Sequence, residues 1–167
     1  MSQEVRSLPR GLLLAALQVA LLGAVAGWMR MEDATQPRGW ARTAPVDPDL
    51  PIRGRYVAFF LQVPAPGLSG TTERVALRVR DGRVLAAPAL PGGGNPQDAF
   101  LTTGKGGTIA QLRTPLAFFL PEHAEDPSRR PPGETLWTEV TLPRLGPPRP
   151  LRLGVERQPG RIDPLRP

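Results

Sequence analysis

The chain has 167 residues, with 21 basic and 15 acidic side chains, a formal net charge of +6 and no cysteine. This length is enough for one hydrophobic core, and the absence of cysteine excludes disulfide bonds and thiolate chemistry. The arginines are scattered among acidic neighbours and are not clustered on one element with aromatic residues between them. The charge pattern therefore argues against a nucleic-acid partner.

One apolar run stands out near the N-terminus, from Gly11 to Met29. It contains no charged residue, and its one strongly polar side chain is Gln18. At about 1.5 Å per residue, a helix over this run would be roughly 28 Å long, which is close to the thickness of a bilayer's hydrocarbon core. The run therefore predicts a transmembrane helix over residues 11–29, preceded by a cytoplasmic tail of residues 1–10.

The same run leaves two alternatives for the mature protein. Arg6 and Arg10 form the basic start that a signal peptide needs, and Ala24-Val25-Ala26 is an acceptable cleavage site. In favour of a retained anchor, the apolar character continues past Ala26, and Trp28 suits the far membrane interface. With either alternative the rest of the chain works outside the cytoplasm, and the short basic tail indicates an N-terminus that stays inside.

Proline and glycine occur at short intervals throughout the chain after the apolar run. The whole chain has 22 prolines and 18 glycines. Because proline inside a helix costs about 3 kcal/mol, this density favours short strands separated by turns. We predict an extended linker over residues 30–51 and one extracytoplasmic β-domain over residues 52–167. The expected fold class is mainly β, with the transmembrane helix followed by a small antiparallel β-sandwich or barrel-like domain.

Alternating and β-branched residues mark the strands of this domain. The candidates are Arg55–Val63, Glu73–Arg80, Arg83–Ala87, Thr108–Leu112, Leu116–Leu120, Thr135–Leu142, Leu151–Glu156 and Arg161–Leu165. Asp81-Gly82 separates two of them by the two residues that a type I′ hairpin prefers. Pro91–Gly107, which is dense in glycine and proline, is predicted to be a loop, as is Pro121–Pro132.

Few side chains offer catalytic or ligand-binding chemistry. His123 is the only histidine, and no pattern pairs it with Ser69 or Ser128 as a catalytic triad would need. Lys105 lies in a TGKGGT segment, but Ala99 and Gly106 occupy the glycine and hydroxyl positions of a phosphate-binding loop. We therefore expect a protein without enzymatic activity, with no catalytic, metal-binding or cofactor-binding residue and no cofactor.

Part of the chain, over about residues 40–165, resembles a known family. The segment PVDPDLPIRGRYVAFFLQV carries Pro-x-Asp-Pro followed by Arg-Gly-x-Tyr, at Pro45, Asp47, Pro48, Arg53, Gly54 and Tyr56. This is similar to the opening of the GDYXXLXY family, small bacterial membrane-anchored proteins of no established biochemical activity. Arg55 stands where the family has Asp, while Phe59 and Leu61 replace its Leu and second Tyr. A second element, Phe118-Phe119-Leu120-Pro121-Glu122, resembles a strand end of the same family.

The resemblance implies a single-pass protein of the bacterial inner membrane, with a periplasmic C-terminal domain, that serves as an accessory subunit of a polytopic membrane protein. The candidate site residues that it carries over are Arg53, Gly54, Tyr56, Pro121 and Glu122. Gly54 would permit a tight turn into the first strand, and Tyr56 would be a core or rim aromatic. Arg53 and Glu122 would either pair or each be solvated. The alternative function is an exported ligand-binding domain or hydrolase with its site near Arg53 and Glu122.

Overall fold

The structure is a computed structural model that describes residues 10–46, 55–90, 95–122, 126–127 and 129–165. The chain divides into two units, Met1–Gln36 and Pro37–Pro167. Within the described residues, the first unit contains one helix and the second contains ten strands. The predicted fold class, a mainly β protein with an N-terminal apolar helix, is confirmed.

Helix α1 (Arg10–Thr35) contains the apolar run, and the part long and apolar enough to cross a membrane is Gly11–Met31. Every side chain in that part is exposed, including leucine, valine, methionine and tryptophan side chains. The helix ends at Thr35, whose hydroxyl donates to the carbonyl of Met31 over 3.0 Å. Pro37 follows two residues later, where its ring lacks an N–H and disfavours helical geometry in the residue before it.

The ten strands form one sheet. They are β1 (Arg38–Val46), β2 (Tyr56–Pro64), β3 (Thr72–Arg80), β4 (Arg83–Pro88), β5 (Pro96–Gly104), β6 (Gly107–Leu112), β7 (Leu116–Phe119), β8 (Thr135–Thr141), β9 (Arg149–Gln158) and β10 (Arg161–Pro164). Their order is β10-β9-β8-β1-β4-β3-β5-β6-β2-β7, with a further pairing between β1 and β2. That pairing closes the six strands from β1 to β2 into a barrel, so the architecture is a closed barrel with extra strands and not a sandwich.

Strand β1 occupies residues that the sequence predicted as part of a linker. Its first half pairs with β8, its second half pairs antiparallel with β2, and the N–H of Trp40 donates to the carbonyl of Gly82 next to β4 over 2.8 Å. The linker prediction over residues 30–51 is therefore wrong for residues 38–46, and also for residues 30–35, which continue α1. The strand lacks a hydrophobic signal because its buried positions hold the small residues Gly39, Ala41 and Thr43.

The predicted loop over Pro91–Gly107 is also wrong, since residues 96–104 form β5. This strand pairs antiparallel with both β3 and β6. Only Ala99 and Leu101 of β5 are buried, while its other side chains are exposed or half-buried. Only two buried positions, one of them alanine, between glycine-rich ends carry too weak a period-two signal for sequence patterning to detect.

The hydrophobic core lies inside the barrel and is dominated by β2. Phe59, Leu61 and Val63 of this strand have no exposed surface. Full burial of each such side chain contributes about 1.5–3 kcal/mol. Other fully or almost fully buried side chains are Val75, Val84 and Leu112 in strands of the ring. Val140 and Val155 are also fully buried, in β8 and β9 outside the ring.

The predicted Asp81-Gly82 hairpin is present between β3 and β4. Both turn residues have positive φ, 51° for Asp81 and 72° for Gly82, as a type I′ turn requires. Arg80 and Arg83 are the residues that face each other beside the turn. In a two-residue hairpin this flanking pair exchanges both hydrogen bonds. Counting back from the turn, this determines to which side the main-chain groups of each residue of β3 point.

Gly154 in β9 is required by close packing. A Cβ atom built there would lie 2.7 Å from Cγ2 of Ile162 and 2.8 Å from Cζ3 of Trp40. Such separations are shorter than van der Waals contact, and the rigid indole of Trp40 cannot move aside without disturbing β1. Gly154 therefore allows three strands to pack at this point.

We expect Gly154→Ala to lower the free energy of unfolding by about 1–3 kcal/mol, because the added methyl overpacks the site. The measurement is urea unfolding of the full chain in detergent micelles, followed by tryptophan fluorescence. Gly104→Ala is the matched control, because a Cβ atom at Gly104 meets nothing within 4 Å, and its effect should stay within about 0.5 kcal/mol. Equal losses for the two variants would contradict the packing role of Gly154.

Candidate functional site

The residues carried over from the family resemblance fall partly within the structure. Arg53 and Gly54 lie outside the described residues. Tyr56 begins β2 and is half-buried, and Pro121 and Glu122 follow β7 and are exposed. Tyr56 faces Phe119 across the β2–β7 pairing, with ring centroids 6.2 Å apart and ring planes at 49°. The two sequence segments of the resemblance therefore meet at one end of the β2–β7 ladder.

Arg55 connects these segments. Its carbonyl accepts a hydrogen bond from the N–H of Leu120 over 2.9 Å, and its guanidinium donates to the main-chain carbonyl of Glu122 over 2.5 Å. Among the described residues, the Arg55 side chain thus contacts the main chain of Glu122. The pairing of Arg53 with the Glu122 carboxylate stays a prediction.

A second cluster covers the outward face of β1, β8 and β9. Trp40, Glu139 and Arg152 stand in register across these strands. The Arg152 guanidinium lies 5.5 Å from the centroid of the Trp40 ring, and its Nε is 2.5 Å from the Glu139 carboxylate. A cation held over an aromatic face by a carboxylate is a stable surface arrangement.

The neighbouring row of this outward face repeats the arrangement around Trp137. Its indole N–H donates to Glu156 over 2.8 Å, and the guanidinium of Arg83 lies 4.5 Å from its ring centroid. Arg83 also donates to the carbonyl of Gly160, and Glu156 accepts from the N–H of the same residue. Each indole ring is covered by a guanidinium from within the domain, so this face stabilises the strands outside the barrel and does not present bare aromatic rings to a ligand.

A groove of about 620 Å³ is the third feature of the domain, and its volume lies within the range of ligand-binding clefts. Four consecutive residues of β3, Ala76–Val79, line it. Successive side chains of a strand point to opposite faces, so a cavity on one face would contact every second residue. Contact with four residues in a row places the groove along the edge of β3. Leu142, Pro143, Arg144 and Pro148, from the segment after β8, line the other side.

Hydrogen bonds hold the far wall of this groove in place. Asn95, just before β5, donates from Nδ2 to the carbonyl of Pro143 over 3.0 Å and also to the carbonyl of Gly146. Gln97 donates to the side-chain oxygen of Asn95 over 3.0 Å and to the carbonyl of Gly146 over 3.3 Å. These hydrogen bonds connect the segment after β8 to the start of β5, and they thereby fix the position of this wall of the groove.

The charged side chains that line the groove, among the described residues, are Arg78 and Arg144. Both are exposed, and neither forms an ion pair with another described residue. Other exposed arginines of the same region do pair: Arg74 lies 3.6 Å from Asp98, and Arg80 lies 3.7 Å from Asp81. The groove therefore combines an apolar lining with uncompensated positive charge.

Sequence patterning did not identify the groove residues. It assigned Arg78 to the strand Glu73–Arg80 and gave Arg144 and Asn95 no role. Patterning cannot show where β3 loses its partner, because that depends on the order of strands in the sheet.

Within the described part of the chain, no three His, Cys, Asp or Glu side chains lie close enough together to hold a metal ion. His123 is outside that part. Comparisons with protein-family models, with curated proteins and with solved structures gave no match. The geometry of the domain is accordingly the basis for proposing a function.

We expect Arg55→Ala to cost about 0.5–1.5 kcal/mol of unfolding free energy, since it removes a charge-assisted hydrogen bond at a partly solvated position. Glu122→Ala should cost less than about 0.5 kcal/mol, because the main-chain carbonyl that Arg55 binds survives the substitution. Chemical unfolding of the full chain in micelles measures both values. A Glu122→Ala loss as large as that of Arg55→Ala would show that the carboxylate itself is bound, as the Arg53 prediction requires.

Proposed function

We propose that this protein is a non-catalytic accessory subunit of a polytopic membrane protein, held in the bacterial inner membrane by α1 and carrying an extracytoplasmic β-barrel domain. The observation that carries the proposal is the exposure of every apolar side chain from Leu12 to Met31. Each buried leucine or valine contributes about 1.5–3 kcal/mol, so a helix that is apolar all round favours a lipid environment over water.

The partner side of the proposal has two supports. The resemblance of residues 45–63 to the GDYXXLXY family implies an accessory role beside polytopic membrane proteins. On α1, Gly23 and Gly27 are one turn apart, and a Cβ atom at either position would meet nothing within 4 Å. Two glycines at this spacing allow another transmembrane helix to approach the backbone closely.

We expect an N-terminus inside the cell and the β-domain outside. Because the chain has no cysteine, single cysteines report topology without background. Ser69→Cys, in an exposed turn after β2, should react with a membrane-impermeant maleimide in intact spheroplasts. Ser7→Cys should react only after lysis. The opposite pattern would reverse the topology.

The intact mass of the same protein tests whether the helix is retained. A chain that keeps its N-terminal residues supports the anchor. A soluble chain that begins at Gly27 would overturn the proposed function and favour an exported ligand-binding domain.

We expect the double variant Gly23→Leu, Gly27→Leu to lose at least about 80% of a co-purifying polytopic protein, since leucine blocks close helix approach. The measurement is quantitative mass spectrometry of tagged protein isolated from solubilised membranes. Val25→Leu, on the opposite side of α1, is the control and should retain the partner. If the glycine variant retained it as well, the helix would not be the contact surface. If the unmodified chain brought down no polytopic protein, the accessory role would be wrong.

A further inference from the structure

The edge of β3 beside the groove has no neighbouring strand in the part of the chain that the structure describes. Pairing with β5 runs from Thr72 to Ala76, where the facing residue is Pro96. From Leu77 to Arg80 the strand pairs, among the described residues, only with β4. The groove follows this same stretch, so an unpaired strand edge forms its floor.

The type I′ hairpin determines which main-chain groups point into the groove. Arg80 and Arg83 form the hydrogen-bonded pair beside the turn, so Arg78 also bonds to β4. The main-chain groups of successive residues point to opposite sides of the strand. The N–H and C=O of Val79 and the C=O of Leu77 therefore point away from β4. These groups have no main-chain partner among the described residues. They present the hydrogen-bonding pattern that an added strand satisfies.

We propose that the groove binds an extended acidic segment of a partner protein, which adds to β3 as a further strand. Main-chain bonds to Leu77 and Val79 would give affinity, and Arg78 and Arg144 would select carboxylate side chains. The inference deepens the proposed function by naming the chemistry of the partner's segment, and it rests on that function's assumption that the domain binds a partner.

Charge complementarity favours this occupant over a second copy of the chain. Arg78 and Arg144 lack ion-pair partners among the described residues, and no acidic side chain of the described part lines the groove. A second β3 docked edge to edge would bring the uncompensated charge of Arg78 close to Arg78 of the other copy. Like charges at such an interface oppose association, whereas glutamate or aspartate at alternate positions would neutralise them.

The full chain in lipid nanodiscs can be tested with a fluorescein-labelled hexapeptide of alternating valine and glutamate, with fluorescence anisotropy as the signal. We expect saturable binding that weakens as salt rises, and no binding of the valine–lysine counterpart. Arg78→Glu with Arg144→Glu should weaken binding at least 10-fold. Arg42→Glu with Arg113→Glu changes net charge equally at exposed positions outside the groove lining, and should change affinity less than about 2-fold.

N-methylation of the peptide tests strand addition separately from charge attraction. In an added strand, alternate residues direct their N–H toward the edge. Methylating either all valines or all glutamates should therefore abolish binding in one case and preserve it in the other. Equal binding of the two methylated peptides would overturn strand addition.

Three further outcomes would overturn the proposal. One is absence of binding by the valine–glutamate peptide. Another is equal weakening by the two arginine pairs. The third is a chain that is dimeric in nanodiscs and becomes monomeric when Arg78 and Arg144 are replaced, which would assign the groove to a second copy. None of these results depends on whether a polytopic protein co-purifies through α1, so the groove and the accessory role can fail independently.

Discussion

Closure of the barrel depends on the main chain of β1. This strand bonds to β8 through residues 38–42, to β2 through residues 42–46, and to the β3–β4 turn through the N–H of Trp40. Close approach at this junction needs small side chains. A Cβ atom at Gly39 would lie 3.1 Å from Cγ2 of Val84 and 3.2 Å from the carbonyl carbon of Arg83. Without β1, the strands β8, β9 and β10 would lose their pairing with the ring.

Arginine has a structural role on the outward face of β8 and β9 that lysine would fill poorly. Arg83 and Arg152 each combine a position over an indole ring with a hydrogen bond to a carbonyl or carboxylate. A planar guanidinium can stack and donate at once, whereas an ammonium is a compact point charge. These arginines therefore already contact partners within the domain. Arg78 and Arg144 in the groove differ from them, because they form no ion pair among the described residues.

The ends of the sheet and the groove present different kinds of strand edge. β7 and β10 are four residues long each, and short terminal strands limit unwanted pairing. The open part of β3 lies instead between two walls, one of them held by Asn95 and Gln97. The segment that we propose to add to β3 would lie against this wall, which distinguishes the groove from the edges at β7 and β10.

The sequence alone determined the features that depend on local chemistry. The apolar run gave the helix, period-two alternation gave β3 and β8, and Asp81-Gly82 gave the hairpin, because each depends on residues near one another in the chain. Residues 38–46 were misassigned because their inward positions hold small residues, and residues 96–104 because only Ala99 and Leu101 are buried there. In both strands burial depends on distant strands. The meeting of Arg55 with Glu122 likewise depends on strand pairing across the sheet.

Tertiary structure alone decided between barrel and sandwich, since closure depends on whether β1 and β2, the first and last strands of the six-strand ring, pair with each other. It also decided where β3 loses its partner and therefore where a groove forms. Such features arise from strand order and register, which are set by packing over the whole core. They cannot be predicted from the residues that are close together in the sequence.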